Sequence, residues 1–231
     1  MSLKHSAAGG LFSRSLEIAA KHITLHGLRY SMASFLREIW FDLSHGVDTT
    51  TLHGSMDHPH SVHYQGADPQ LVKQLLSSLP TRARASTFVD FGCGKGRALL
   101  LALEHGFQEV IGVEIAPDLA AICRRNLAKS TRAHHFANAR VIESDATTFT
   151  PPSGAVSAFF FNPFHGPPLE QVAANIASAS QHSGAEAWLI YVNPLHLEPF
   201  LARGFKLVHS LMHRQTLLAV IAHLQPGATH D

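Results

Sequence analysis

One run of nine residues, Val89-Asp90-Phe91-Gly92-Cys93-Gly94-Lys95-Gly96-Arg97, holds the first grouping able to do chemistry. Glycines at 92, 94 and 96 permit a tight turn and let a ligand approach bare backbone, and a helix opening there would present its N-terminal amides. A dinucleotide fingerprint would need its third glycine at position 97, which is arginine. Asp90 points the same way, because a carboxylate beside the loop suits an amino or sulfonium cation and repels a pyrophosphate. Two further acids stand in comparable places. Glu114, in Gly112-Val113-Glu114-Ile115, can accept both hydroxyls of a ribose. Asp145, in Glu143-Ser144-Asp145-Ala146, can accept from an exocyclic adenine amine. Each acid alone also reads as a cap or a solvated charge; together they form a pattern. Farther on, Phe160-Phe161-Asn162-Pro163-Phe164-His165 offers a carboxamide that accepts hydrogen bonds without being protonated, a stiffened turn, and an imidazole suited to general-base work. The same segment also reads as a turn that ends a strand.

These residues need a scaffold that gathers them, and the hydrophobic pattern predicts one. Strands at 87–91, 110–115, 140–144, 156–161 and 187–192 are separated by helical patterns at 95–105, 117–129 and 169–181. Helical crossovers between strands mean a parallel sheet covered on both faces, with ligands at the carboxyl ends of the strands. Runs at 205–211 and 216–222 are too close for a helical crossover and should pair antiparallel. The expected fold is therefore α/β: a doubly wound, mostly parallel, seven-stranded Rossmann-like sheet ending in an antiparallel hairpin. Ahead of it, residues 68–79 read as a helix capped by Asp68 with Pro69 at its first position. Residues 15–44 read as an N-terminal helical extension, divided at Gly27, whose stripe Leu25, Leu28, Met32, Phe35 and Ile39 should pack on the main domain. Residues 46–66 are turn-rich and long for a connection, which suggests a lid. The chain divides into residues 1–66, extension and lid-like loop, and 67–231, the ligand-binding domain.

Over roughly residues 68–224 this succession resembles the cofactor motifs of class I S-adenosylmethionine-dependent methyltransferases. The resemblance implies that Asp90 with Gly92, Gly94 and Gly96 holds the methionine moiety, Glu114 with Ile115 the ribose, and Asp145 with Ala146 the adenine. The pieces Phe41-Asp42 and Gly46-Val47-Asp48-Thr49 resemble the lead-in of some small bacterial members. Asn162-Pro163-Phe164-His165 resembles the Asn-Pro-Pro-aromatic motif of methyltransferases that modify planar amino or amide nitrogens. Phe164 stands in the second proline's place and His165 in the aromatic's. The resemblance implies S-adenosylmethionine as cofactor, with Asn162 to His165 at the reacting end and Asn162 also near the cofactor. The implied acceptor is an amino or amide nitrogen of a protein or small molecule, with an RNA or DNA base as the alternative. Readings from other classes are a nicotinamide-dependent oxidoreductase, opposed by Arg97 and the hairpin, and a non-catalytic cofactor-binding protein.

Composition narrows the partners. Lys plus Arg number 18 against 17 acids, which removes the bulk electrostatic case for nucleic acid. A local patch could still form from Arg82 and Arg84, or from Arg124, Arg125, Lys129 and Arg132; solvated helix faces are the alternative. The two cysteines, Cys93 and Cys123, suggest neither a disulfide framework nor a zinc site, and Cys93 reads as a small packing residue in its loop. No apolar run approaches the ~20 residues that span a bilayer, and residues 1–14 lack a signal-peptide pattern. The expectation is a cytoplasmic protein without a membrane partner. His53, His58, His60 and His63, with Asp57 among them, have spacing a borderline metal could use. No companion cysteine accompanies them, and the segment is expected to be a solvated lid with no metal assigned.

Overall fold

The computed structural model describes residues 28–51, 66–130 and 138–227. Its elements in chain order are α1 (Leu28–His45), α2 (Pro69–Ser78), a 3-10 turn (Thr81–Ala85), β1 (Thr87–Phe91), α3 (Arg97–Glu104), β2 (Val110–Glu114) and α4 (Pro117–Lys129). They continue with β3 (Ala139–Glu143), β4 (Val156–Phe160), α5 (Pro167–Ser183), β5 (Ala187–Val192), α6 (Glu198–Leu201), β6 (Lys206–His213) and β7 (Thr216–Leu224). The 3-10 turn and α6 are short elements for which the pattern gave no signal.

The seven strands form one sheet in the order β3-β2-β1-β4-β5-β7-β6. The pairs β1 with β2, β1 with β4, β2 with β3 and β4 with β5 are parallel; β7 pairs antiparallel with β5 and β6. This is the expected doubly wound sheet with a C-terminal antiparallel hairpin. Strand order reverses beside β1, so the crevice lies between the carboxyl ends of β1 and β4.

Period-two alternation divides the core between the two faces of the sheet. Phe88, Phe159, Ile190 and Ile221 join Val72, Leu75, Leu76 and Leu99 of α2 and α3 on one face. Val89, Phe91, Phe160 and Tyr191 join Leu169, Val172 and Ile176 of α5 and Phe200 of α6 on the other. Asp68 caps α2 as expected, its carboxylate accepting from the Gln70 and Leu71 amides. It also accepts from Ser34 and Arg37, which joins α1 to that cap.

The N-terminal stripe needs correction. Met32 is 58% exposed and Phe35 51%, while Ile39 is only half-buried. Leu25 and the Leu28 side chain lie outside the described residues. The buried side of α1 is instead Phe41 and His45, with Glu38 beside them, because the domain offers that helix charged partners as well as apolar surface. Arg97 pairs with Glu38 at 3.0 Å, and His45 meets Glu104 at 2.7 Å.

Candidate active site

The glycine loop begins where β1 ends. Gly92 sits at φ +77, and a Cβ there would stand 2.5 Å from Cβ of Pro163. No side chain fits, so the turn after β4 rests directly on the loop after β1. Gly96 sits at φ +87 with the Cys123 thiol against it, and α3 starts one residue later, at Arg97. Cys93 and Cys123 are buried free thiols with their sulfurs 4.0 Å apart. The hydrogen bond with Cys123, then burial, pushes the Cys93 thiol up, so it stays a packing group.

Two acids lie buried at the strand ends. Asp90 is 4% exposed and finds no protein donor among the described residues. Burial, then the nearby Glu114, holds its carboxyl well above the usual carboxylate range. Glu114 accepts from the Gly94 amide at 2.7 Å and the Ala116 amide at 3.0 Å. Burial raises its carboxyl too, and those amide bonds oppose the rise. Among the described residues no cationic side chain pairs with either acid, which suits a ligand that brings positive charge, as the sulfonium and amino groups of S-adenosylmethionine do. Ile115 is half-buried beside Glu114. Asp145 is exposed and accepts from the Thr147 amide at 2.8 Å, so here it closes a turn; Ala146 packs on the core.

Lys95 and Arg97 were singled out only for their place in the loop, and the structure makes them its anchors. The Lys95 ammonium is fully buried, 3.2 Å from the Asp48 carboxylate and 2.7 Å from the Thr51 carbonyl. Arg97, 3% exposed, donates to the Thr49 hydroxyl and carbonyl, the Thr50 hydroxyl and the Ala67 carbonyl. Asp42 accepts from the Thr49 and Thr50 amides, and Asn126 bridges the Asp48 and Lys95 carbonyls. Residues 46–51 are thereby strapped to the loop. The fragment Phe41-Asp42…Asp48-Thr49-Thr50-Thr51 was the available signal.

At the far side of the crevice, Asn162 adopts φ +46, a left-handed conformation that asparagine tolerates better than most residues. It is half-buried, and the Tyr191 hydroxyl donates to its Oδ1 at 3.4 Å. Phe164 is half-buried with its ring edge toward Phe160; His165 is exposed, its ring 5.8 Å from that of His196. The structure thus brings Asp90, the glycines, Glu114 and the Asn162–Pro163 turn to one crevice. Among the basic candidates, Arg82 pairs with Glu186 and Arg124 with Glu143. Asp57, His53, His58, His60, His63 and Arg132, with residues 52–65 of the segment 46–66 expected to be a lid, lie outside the described residues. No described helix is long and apolar enough to cross a membrane.

A family model described as a methyltransferase domain matches residues 88–184. Among solved structures, the glycopeptide N-methyltransferase MtfA bound to S-adenosylmethionine is similar, with TM-score 0.52 and 13% identity over 71% of this chain and 90% of that one. A candidate methyltransferase, yhhF from Escherichia coli, superposes with TM-score 0.52 at 17% identity, covering 78% and 92%. A candidate RNA methyltransferase from Pyrococcus horikoshii reaches TM-score 0.50 at 18%, covering 79% and 94%. At these identities the structural likeness is one of fold. No curated protein sequence matches significantly. The matched domain runs from β1 through α5 and so contains the glycine loop, both buried acids and the Asn162–Pro163 turn: this part of the chain is a methyltransferase domain of the S-adenosylmethionine-dependent kind.

Proposed function

We propose that this enzyme methylates an amino or amide nitrogen of a protein or small-molecule acceptor in the cytoplasm, with residues 67–231 as catalytic domain and 1–66 as extension. The observation that carries this reading is the contact of the Asn162–Pro163 turn with Gly92, which puts a neutral hydrogen-bond acceptor beside the cofactor loop. The cofactor, when bound, supplies an electrophilic methyl group on a sulfonium. Asp90 and the loop hold its cationic end. Glu114, with Ile115, keeps the loop amides in place and accepts from the ribose, while Asp145, with Ala146, faces the adenine. Asn162 Oδ1 accepts a hydrogen bond from the acceptor nitrogen and turns its lone pair toward the methyl group. Phe164 gives that end apolar surface, and His165 takes the proton that nitrogen releases.

Nucleic acid is the weaker acceptor class, since the net charge is +1 and Arg82 and Arg124 already have acidic partners. The test is transfer of a labelled methyl group from S-adenosylmethionine into fractionated protein, RNA and metabolites. Label in protein or metabolites, lost in Asn162→Gly, is the expected result. Label confined to RNA would move the assignment to a base methyltransferase.

A further inference from the structure

The tips of β4 and β5 carry the same short pattern, an Asn-Pro pair followed two residues later by His. Phe160 pairs with Tyr191 in the parallel register. Continuing it sets Asn162 opposite Asn193, Pro163 opposite Pro194, and His165 opposite His196. The likeness extends to the backbone, since Asn162 and Asn193 adopt φ +46 and φ +51. Two adjacent non-glycine residues in that region are unusual, and such strain gathers at functional sites. The imidazoles of the two turns meet with ring centroids 5.8 Å apart.

One hydroxyl joins the turns. Tyr191 is wholly buried, its ring among Phe160 and Phe200. Its O–H donates to Asn162 Oδ1 at 3.4 Å, and the backbone amide of His196 faces the Tyr191 phenol oxygen itself. Burial pushes this phenol up to about 12, so at neutral pH it stays a donor. A carboxamide oxygen has two lone pairs. With Tyr191 on one, the other is left for an acceptor N–H, and the amide can no longer turn over freely. The second turn is itself anchored, its Asn193 amide donating to the Leu218 carbonyl at 2.8 Å.

We propose that the turns after β4 and β5 form a single acceptor site, in which Tyr191 is the positioning residue that fixes the Asn162 carboxamide against the second turn. This rests on the reading of Asn162 as the group that orients the acceptor. The acceptor class follows: a molecule or side chain with more than one hydrogen-bonding group, held by two carboxamides under a rim of two imidazoles. Asn193 is its second polar contact.

The test combines an activity-free readout with a mutant cycle. Tyr191→Phe keeps the buried ring and removes only the hydroxyl. In protein labelled with 15N-asparagine and saturated with S-adenosylhomocysteine, the Asn162 side-chain amide signals, assigned by their loss in Asn162→Gly, should shift and broaden in Tyr191→Phe. Unchanged signals would overturn the proposal. Initial rates of labelled methyl transfer from S-adenosylmethionine into a cell extract should fall roughly tenfold in Tyr191→Phe and at least fivefold in Asn193→Gly, with affinity for S-adenosylhomocysteine within twofold of wild type. Glycine keeps the positive φ while deleting the carboxamide. In Asn162→Gly, adding Tyr191→Phe should cost nothing more, because its effect runs through the missing carboxamide. Additive losses would reduce Tyr191 to a packing residue and leave the Asn162 reading standing. A normal rate in Asn162→Gly would instead remove that reading, and this one with it.

Discussion

Around the glycine loop nearly every charged or polar group has a fixed partner, whereas the tips of β4 and β5 carry half-buried and exposed side chains. On the first side Lys95 and Arg97 are buried, Glu114 ties down the Gly94 and Ala116 amides, and Asn126 spans Asp48 and Lys95. On the second, Leu195 is 60% exposed, His165 and His196 face outward, and Asn162 is located by a 3.4 Å bond from Tyr191 and by its own backbone. A ligand that is always the same chemical species favours a pocket built in advance, and dense ionic packing builds it. In the proposed function the acceptor side needs access, which suits determinants on turns placed by a rigid sheet.

The strongest way to break this comparison is at Arg97. Replacing it by methionine leaves the Glu38 carboxylate and the carbonyls of Thr49 and Ala67 without their donor. Removing one partner of a buried ion pair costs about 3–5 kcal/mol. Urea denaturation should show a loss of that size, and Arg97→Lys should recover only part of it, since an ammonium lacks the planar fork. A loss below about 1 kcal/mol, within the range of a surface pair, would mean the strap is incidental.

At the opposite tip the effect should fall on rate and spare stability. Asn162→Gly is expected to lower turnover by on the order of 10²-fold with cofactor affinity nearly unchanged. Asn162→Ala is a poorer probe, because alanine lacks the polar side chain that lets asparagine tolerate φ +46, which adds strain of about 1 kcal/mol or more. Calorimetry with S-adenosylhomocysteine beside the transfer assay separates the two effects; lost binding would reassign Asn162 to the cofactor.

The division between the two regions also explains what could be read from sequence. The hydrophobic pattern located all seven strands to within about two residues, most plainly where a strand is buried along its whole length, as Val156–Phe160 is, and so reads as almost wholly apolar. Asp90, Glu114 and the glycines were legible because strand ends and bare backbone carry position-specific chemistry. The strap was not. Arg97 had been weighed only as a missing glycine, and nothing local says that it reaches Thr49, forty-eight residues away in the chain. The face of α1 was misjudged for a related reason: Met32 and Phe35 make the more apolar stripe, but Glu38 and His45 find charged partners in Arg97 and Glu104. Asn193 was missed because its likeness to Asn162 has meaning only once β4 and β5 are known to be neighbours in register.

Glu114 sharpens the comparison, because it braces the scaffold and, in the proposed function, also holds the ligand. Glu114→Ala should weaken S-adenosylmethionine binding by about 1.5–3 kcal/mol, the scale of charged hydrogen bonds. The structure adds a second consequence. The Gly94 and Ala116 amides lose their acceptor, so thermal stability should fall as well. Weakened binding with an unchanged melting temperature would show that the two amides find water instead and that the carboxylate serves the ligand alone.

The smallest effect concerns how α1 is held. The Glu104 carboxyl is pulled down to about 2, first by its hydrogen bond with His45 and then by the charge of Lys73, against the opposing effect of burial. Its folded value therefore lies below the unfolded value of about 4.5, so the stability it contributes is complete above that pH. That contribution is lost progressively as pH falls from about 4.5 toward 2. Glu104→Gln keeps an oxygen for the His45 ring but removes the charge. Near pH 7 the variant should be less stable by on the order of 1 kcal/mol, between an exposed pair and a charge-assisted buried bond. Below about pH 4.5 the wild-type and variant stability curves should converge, because protonation then neutralises the native carboxyl as the substitution does. Urea midpoints measured for both proteins from pH 7 to pH 3 decide it: curves that stay parallel through the acid limb would show that the His45–Glu104 link does not hold α1 to α3.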